Sequence, residues 1–224
     1  MILEAKGVSK KYPRQTKMMS HFFAVKELDF TLESGKLTEI TGRSGSGKST
    51  LLYILAGLLC PSGGTVRLDG TDLYLLSDKE LSVLRNQKFG LIPQGQTGLY
   101  SLNVRQNVLV PAMIYGDTKE YENRADELLE MVGLAELKEA RMSELSGGEM
   151  RRMAIARALL LNPDIIFADE PTDDLDDENT QNVLKLLRSV SQSGKSVFLV
   201  THEASAKEYA DVIYRMDGGE LSPL

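Results

Sequence analysis

Tryptophan is absent from this chain, and cysteine occurs once in 224 residues. The single thiol, Cys60, has no internal partner, which excludes a disulfide framework and fits a reducing compartment. It follows a run of leucines and reads as a small buried hydrophobe. Positive charge is in deficit: the net charge of -6 lacks the basic footprint of a nucleic-acid binder, so no nucleic-acid partner is expected. Long apolar runs are missing too. The longest, Leu51 to Cys60, is roughly half the ~20 residues that span a bilayer, and Met1 to Lys11 has no signal-peptide core. The chain is therefore expected not to cross a membrane, and any membrane role must come through a partner. There is no internal repeat and no low-complexity linker, so residues 1–224 are expected to form a single domain. What remains, 42% hydrophobic and 26% charged residues, is an ordinary globular composition with enough material for one sizeable core.

Periodicity places the elements. Met1–Val8 and Phe22–Leu32 are rich in β-formers, separated by the polar stretch Pro13–Ser20. A short apolar strand, Leu37–Thr41, leads through a glycine-serine loop into a helix predicted over Lys48–Leu58. Ser77 as N-cap with Glu80 three residues on is a capping box opening a helix over Ser77–Gln87. Phe89–Pro93 reads as a strand. Tyr121–Val132 carries apolar residues at helical spacing and ends at Gly133. Met150–Leu161 reads as a helix offering Met153, Ile155 and Ala156 to a core and Arg151, Arg152 and Arg157 outward. Asp164–Ala168 and Ser196–Val200 are continuous apolar runs, the mark of strands buried on both faces, joined by a helix over Asn179–Gln192.

Three motifs carry chemistry. Gly42-Arg43-Ser44-Gly45-Ser46-Gly47-Lys48-Ser49 fits G-x-x-x-x-G-K-[ST], after a strand and opening a helix, as a phosphate loop requires. Glycines let successive amides point at phosphate oxygens, and the helix start adds a positive dipole end. Lys48 can reach the β- and γ-phosphates, the Ser49 hydroxyl can ligate Mg²⁺, and Thr50 continues the cradle. The second motif is the apolar strand Ile165–Ala168 ending in Asp169-Glu170, which sets two carboxylates at the edge where α/β sheets bind ligands. Asp169 would hold Mg²⁺ and Glu170 would polarise the attacking water. An apolar strand ending in two acids means little alone, but paired with the first motif it means a great deal. The third is Leu145-Ser146-Gly147-Gly148-Glu149 before a helix, either a simple N-cap with a glycine turn or a second anion site.

Together these residues resemble the ABC ATPase family from near the N-terminus to about Glu220. The string Leu145 to Glu149, continuing through Arg151, Arg152 and Arg157 to Leu159, resembles the family signature and its helix, which separates ABC proteins from other phosphate-loop enzymes. The resemblance implies an α/β fold: a P-loop NTPase core with a mostly parallel sheet, an N-terminal antiparallel β subdomain and an inserted helical lobe over roughly residues 95–160. It further implies ATP and Mg²⁺ as cofactors. Gln94 matches the glutamine loop that contacts Mg²⁺ and links the site to the partner, Thr201-His202 the γ-phosphate switch, and Tyr12 an aromatic that stacks on adenine. His21 has no motif around it and reads as a surface residue. Ser146, Gly147 and Gly148 would clamp the ATP of a second subunit, giving an ATP-dependent head-to-tail dimer.

Two features depart from the family pattern. Asp173-Asp174 makes seven of the ten positions from Asp169 to Glu178 acidic. That is either a solvated helix start or a source of like-charge repulsion against dimer closure, relieved by Mg²⁺. Gly95-Gln96-Thr97-Gly98 makes the loop after Gln94 more flexible than in many relatives. Residues Thr71–Gln94, Asn107–Pro111 and Gly116 resemble the lipoprotein-releasing, macrolide-export and cell-division branch. Methionine-type importers share some of this pattern but carry an additional C-terminal domain, whereas this chain stops soon after Glu220. The expectation is an ATPase subunit beneath a transmembrane permease, cytoplasmic and peripheral on the inner face of the membrane, powering export, extraction or mechanotransmission. An importer ATPase, a soluble ABC ATPase and a nucleotide-gated sensor are the alternatives. Glu170 and His202 together argue for a working hydrolase over a sensor.

Overall fold

The computed structural model describes residues 1–13, 21–95, 97–115, 118–173 and 175–224. The expected separator beyond Pro13, together with Gln96, Gly116 and Asp174, lies outside the described residues. Strands β1 (Leu3–Pro13), β2 (His21–Leu32), β4 (Gly63–Leu68) and β5 (Thr71–Asp72) form an antiparallel sheet ordered β2-β1-β4-β5. A second sheet is ordered β10-β9-β3-β8-β7-β6, from β3 (Leu37–Thr41), β6 (Phe89–Ile92), β7 (Ile165–Asp169), β8 (Ser196–Val200), β9 (Val212–Asp217) and β10 (Glu220–Pro223). All of its neighbours pair in parallel except the edge strand β10. Every residue of β7 and β8 is buried, as their unbroken apolar runs require.

The period of two in a strand assigns the two faces of this sheet. Ile165 and Phe167 of β7, Phe198 and Val200 of β8 and Ile40 of β3 join helix α1 (Lys48–Leu55) and the antiparallel sheet in one core. Aromatic contacts run from Phe30 in β2 through Phe198 and Phe167 to Phe89 in β6, two of them edge-on and the Phe167–Phe198 pair tilted, with centroids 5.2–6.0 Å apart. The opposite face sends Ile166, Ala168, Val197 and Leu199 into a second core. There they meet helices α3 (Val104–Tyr115), α4 (Glu122–Met131), α5 (Gly147–Leu159) and α6 (Asp177–Gln192). Glu39 shares the face of Leu37 on β3. It is fully buried, and neither of its carboxylate oxygens has a hydrogen-bond partner.

Helix α2 (Asp78–Lys88) opens with the expected capping box, Ser77 Oγ accepting from the Glu80 amide and the Glu80 carboxylate accepting from the Ser77 amide. α1 stops at Leu55, earlier than predicted, because the Gly57 turn follows its C-cap Ala56. The leucines beyond it leave the helix: Leu58 is half-exposed, and Cys60 is exposed rather than buried, its carbonyl accepting from Lys10 Nζ. α3 falls in the helical lobe expected over roughly residues 95–160, although its own bounds were not read from the sequence, and it holds Pro111 in its interior. Buried Asn107 on α3 ties down the preceding loop, donating to Leu99 O, Leu102 O and Asn103 O while accepting from the Leu99 amide.

Candidate active site

The phosphate loop sits at the carboxyl end of β3, wedged between the two sheets. Gly47 has φ 111°, and a Cβ there would lie 2.0 Å from the Ala24 carbonyl oxygen of β2; only glycine fits. On the other side the Gly219 amide donates to Ser46 O, while Gly219 O accepts from the Lys26 amide. Neither α1 nor its first turn carries an acid, so the positive helix end faces the loop unopposed. Gly42, Arg43, Ser44, Gly45, Gly47, Lys48, Ser49 and Thr50 line one cavity of about 510 Å³, joined by Gln94, Glu170, Asp173 and His202. Ser46 faces inward, buried, and its hydroxyl has no hydrogen-bond partner.

The ends of β3 and β7 bring the acids to this loop. Strand parity puts Asp169 on the α1 face, where Ser49 Oγ donates to Asp169 Oδ1 at 2.9 Å. Tyr53, one helical turn beyond Ser49, lies against the same carboxylate. Burial raises the Asp169 pKa, opposed by Ser49, Tyr53 and Lys48, while burial and Asp169 push the Tyr53 phenol up to about 12. Asp169 Oδ2 is buried without a hydrogen-bond partner. A buried hydroxyl-carboxylate pair with one spare carboxylate oxygen is a donor set that suits a hard divalent cation.

Glu170 is held from two directions. Its Oε2 accepts from the His202 amide at 3.1 Å and lies 3.0 Å from His202 Nδ1, while its Oε1 is 3.5 Å from Lys48 Nζ. Lys48 also donates to Gly42 O at 2.8 Å and Arg43 O at 3.3 Å. The Glu170 backbone is left-handed, φ 47°, at a cost of roughly 1–2 kcal/mol for a residue with this side chain. Its amide remains paired with Val200 O. Gln94 Nε2 donates to Asp173 Oδ2 at 3.0 Å, and Asp173 Oδ1 stands 3.8 Å from His202 Nδ1.

The structure corrects one expectation in a way that bears on the site. Arg151 does not point outward: it is 5% exposed and donates to Pro93 O, Gly95 O and Asp173 O at 3.1, 3.2 and 3.5 Å. Arg157 is also drawn in, donating to Thr97 O and Thr97 Oγ1. α5 therefore braces the described ends of the Gln94 loop, the segment the sequence marks as flexible. An arginine can go inside here because loop carbonyls, which no residue letter announces, supply its acceptors. Tyr53 had a readable signal, its i+4 spacing from Ser49.

The remaining candidates lie elsewhere. Ser146 caps α5 in a capping box with Glu149, and neither it nor Gly147 nor Gly148 lines the phosphate cavity of its own chain. Tyr12 stacks on Phe22 at 5.7 Å, under Lys10 Nζ. His21 is exposed.

A mostly parallel sheet with a phosphate loop after its central strand and an Asp-Glu pair after the next strand but one, with β8 between them, defines a nucleotide-binding fold of the P-loop class. The chain belongs to the ABC transporter family, whose model matches residues 25–173. It is 41% identical over 200 residues to the lipoprotein-releasing system ATP-binding protein LolD of Leptospira interrogans, covering 88% of this chain and 84% of that protein. To the macrolide export ATP-binding/permease protein MacB of Chlorobaculum tepidum it is 40% identical over 199 residues, 88% of this chain but 31% of that longer protein. Among solved structures, the dimeric post-hydrolysis state of the ATP-binding cassette MJ0796 bound to ADP and Pi superposes with a TM-score of 0.90. The identity is 32%, covering 99% of this chain and 98% of that one.

Proposed function

We propose that this chain is the ATP-hydrolysing motor of an export or extraction machine, acting beneath a separate transmembrane permease as a head-to-tail dimer of cassettes. One observation carries the catalytic reading: Glu170 is fixed by His202 and Lys48 at the wall of a cavity built from phosphate-loop residues. Loop amides and Lys48 bind the β- and γ-phosphates, and Tyr12 offers its ring to adenine. Ser49, Asp169 and Gln94 are the residues that would hold Mg²⁺, which when bound neutralises phosphate charge. Phosphate oxygens compete with Glu170 for the Lys48 ammonium, and the released carboxylate orients and deprotonates the attacking water. His202 holds Glu170 and senses the γ-phosphate. Ser146, Gly147 and Gly148 of a second subunit complete the clamp, consistent with their position outside their own chain's cavity. Residues 1–224 act as a single ATPase unit with a helical lobe over roughly 95–160.

The permease reading rests on an apolar groove of about 410 Å³ between the core and the helices, floored by Phe89, Leu91 and Phe167 and rimmed by exposed Leu58, Leu99 and Ile114. It continues from the Gln94 loop through Leu99, so a docked helix would press on the segment that reaches the phosphates. Among the described residues no helix is long and apolar enough to cross a membrane. That, together with the release and export systems among the relatives, supports a peripheral place on the cytoplasmic face of the membrane. The test is Glu170→Gln: turnover should fall by about 10²-fold or more, and ATP should drive a stable dimer. Wild-type turnover in that variant would refute the base assignment. Mild-detergent co-purification of a few-span permease with a large extracytoplasmic domain would support the export branch, and a many-span permease with a binding protein would favour an importer.

A further inference from the structure

Beside the phosphate cavity, and sharing Gly42, Arg43 and His202 with it, lies a second cavity of about 420 Å³. Arg43, Lys207 and Arg215 line it, all exposed, against a single acidic side chain, Asp217. Among the described residues no ion pair engages Arg43 or Arg215. Among the described residues Lys207 has no ion pair either, and it acts through space on the buried Glu39. Among the described residues the basic side chains of this lining therefore outnumber the acidic one.

An opposite surplus sits at the start of α6. Asp176 is committed to capping that helix, accepting from the Asn179 amide and from Asn179 Nδ2. Asp177 and Glu178 are exposed, with no side-chain partner among the described residues. These acids are tied to the signature turn. A Cβ on Gly148 would stand 3.2 Å from Leu175 Cδ2, and Arg152 Nη1 donates to Asn179 Oδ1 at 2.7 Å. Whatever Ser146 and Gly148 dock against, Asp177 and Glu178 arrive beside it.

We propose that the basic cavity of Arg43, Lys207 and Arg215 receives the Asp177-Glu178 acids of a second copy of this chain. The inference rests on the head-to-tail reading above. Closure there sets the signature turn of one copy on the phosphate loop of the other and carries its acidic loop to the loop's flank, where Arg43 opens the basic cavity. The acidic stretch then promotes closure instead of opposing it, with two symmetric sets of pairs per dimer.

The test uses full-length chain carrying Glu170→Gln, with ATP-driven dimerisation followed by sedimentation velocity at several salt concentrations. Lys207→Glu with Arg215→Glu should weaken dimerisation by about tenfold or more, and so should Asp177→Lys with Glu178→Lys. All four changes in one chain should restore it to within about threefold. The parent's association should weaken as salt rises. Thermal unfolding confirms that each variant folds, which matters because Lys207 also acts on Glu39; Lys207→Gln with Arg215→Gln is the milder version should the reversal unfold. Undiminished dimerisation in the reversed variants, or additive loss in the fourfold one, would overturn the pairing while leaving the dimer intact. A parent that stays monomeric with ATP would overturn the dimer reading itself.

Discussion

Replacing Glu39 by glutamine should remove a pH dependence that a buried carboxyl writes into the stability of the whole chain. Burial raises its pKa from 4.5 to about 7, with Lys207 pulling the other way. Below pH 4.5 folded and unfolded chains both carry the proton. From there to about pH 7 the folded chain keeps a proton that the unfolded chain has released, so stability falls as pH rises and then levels off. At about 1.4 kcal/mol per pH unit, the whole loss is roughly 3 kcal/mol, a large fraction of a typical 5–15 kcal/mol. The glutamine amide has nearly the same shape and does not titrate. Urea unfolding of both proteins at intervals from pH 5 to 8 isolates the effect, since every other group titrates alike in the two. The stability of wild type relative to Glu39→Gln should drop by about 2–3 kcal/mol across that range. Parallel profiles would refute the reasoning and mean that Glu39 has a partner, or water, that satisfies its charge.

Arg151→Leu should leave Pro93 O, Gly95 O and Asp173 O without their donor and lower stability by about 1–3 kcal/mol in denaturant unfolding. If the brace also sets Gln94, the concentration of Mg²⁺ needed for half-maximal ATPase should rise, and Arg151→Lys should recover only part of it. On the proposed adenine contact, Tyr12→Ala should raise KM for ATP several-fold with kcat nearly unchanged, because a ring stacked on the base would contribute equally to ground and transition states. Cys60 should react with a thiol reagent in the native protein at close to the rate of a free thiol, whereas a buried residue would react only on unfolding.

The phosphate loop, the Asp169-Glu170 edge and the fully buried strands were legible because each is dictated by local rules: glycine geometry, strand parity and unbroken hydrophobicity. The Ser77–Glu80 capping box was readable for the same reason. Arg151 was not, since charge in a helix pattern signals surface unless its acceptors are known, and these come from loops 22 to 58 residues away in sequence. Cys60 was misread because the leucine run outlasts the helix that would have buried it. Helix α3 lies within the helical lobe expected over roughly residues 95–160, but its individual bounds were not legible, and it carries Pro111 in its interior. Glu39 carries no pattern at all: an acid on a central strand becomes informative only once both faces are known to be covered.

The wedging of Gly47 between Ala24 and the Gly219 turn has a kinetic consequence. A loop held by β2 on one side and by the β9–β10 turn on the other has its backbone fixed before any phosphate arrives, so capture needs little ordering of that backbone beyond the exchange of Glu170 for phosphate at Lys48. Nucleotide association should then run as fast as diffusion and orientation allow, with single-exponential kinetics that do not saturate at high nucleotide. Conformational work is deferred to the later meeting of two chains. The expected result is a cycle timed by the encounter between cassettes and not by the arrival of fuel.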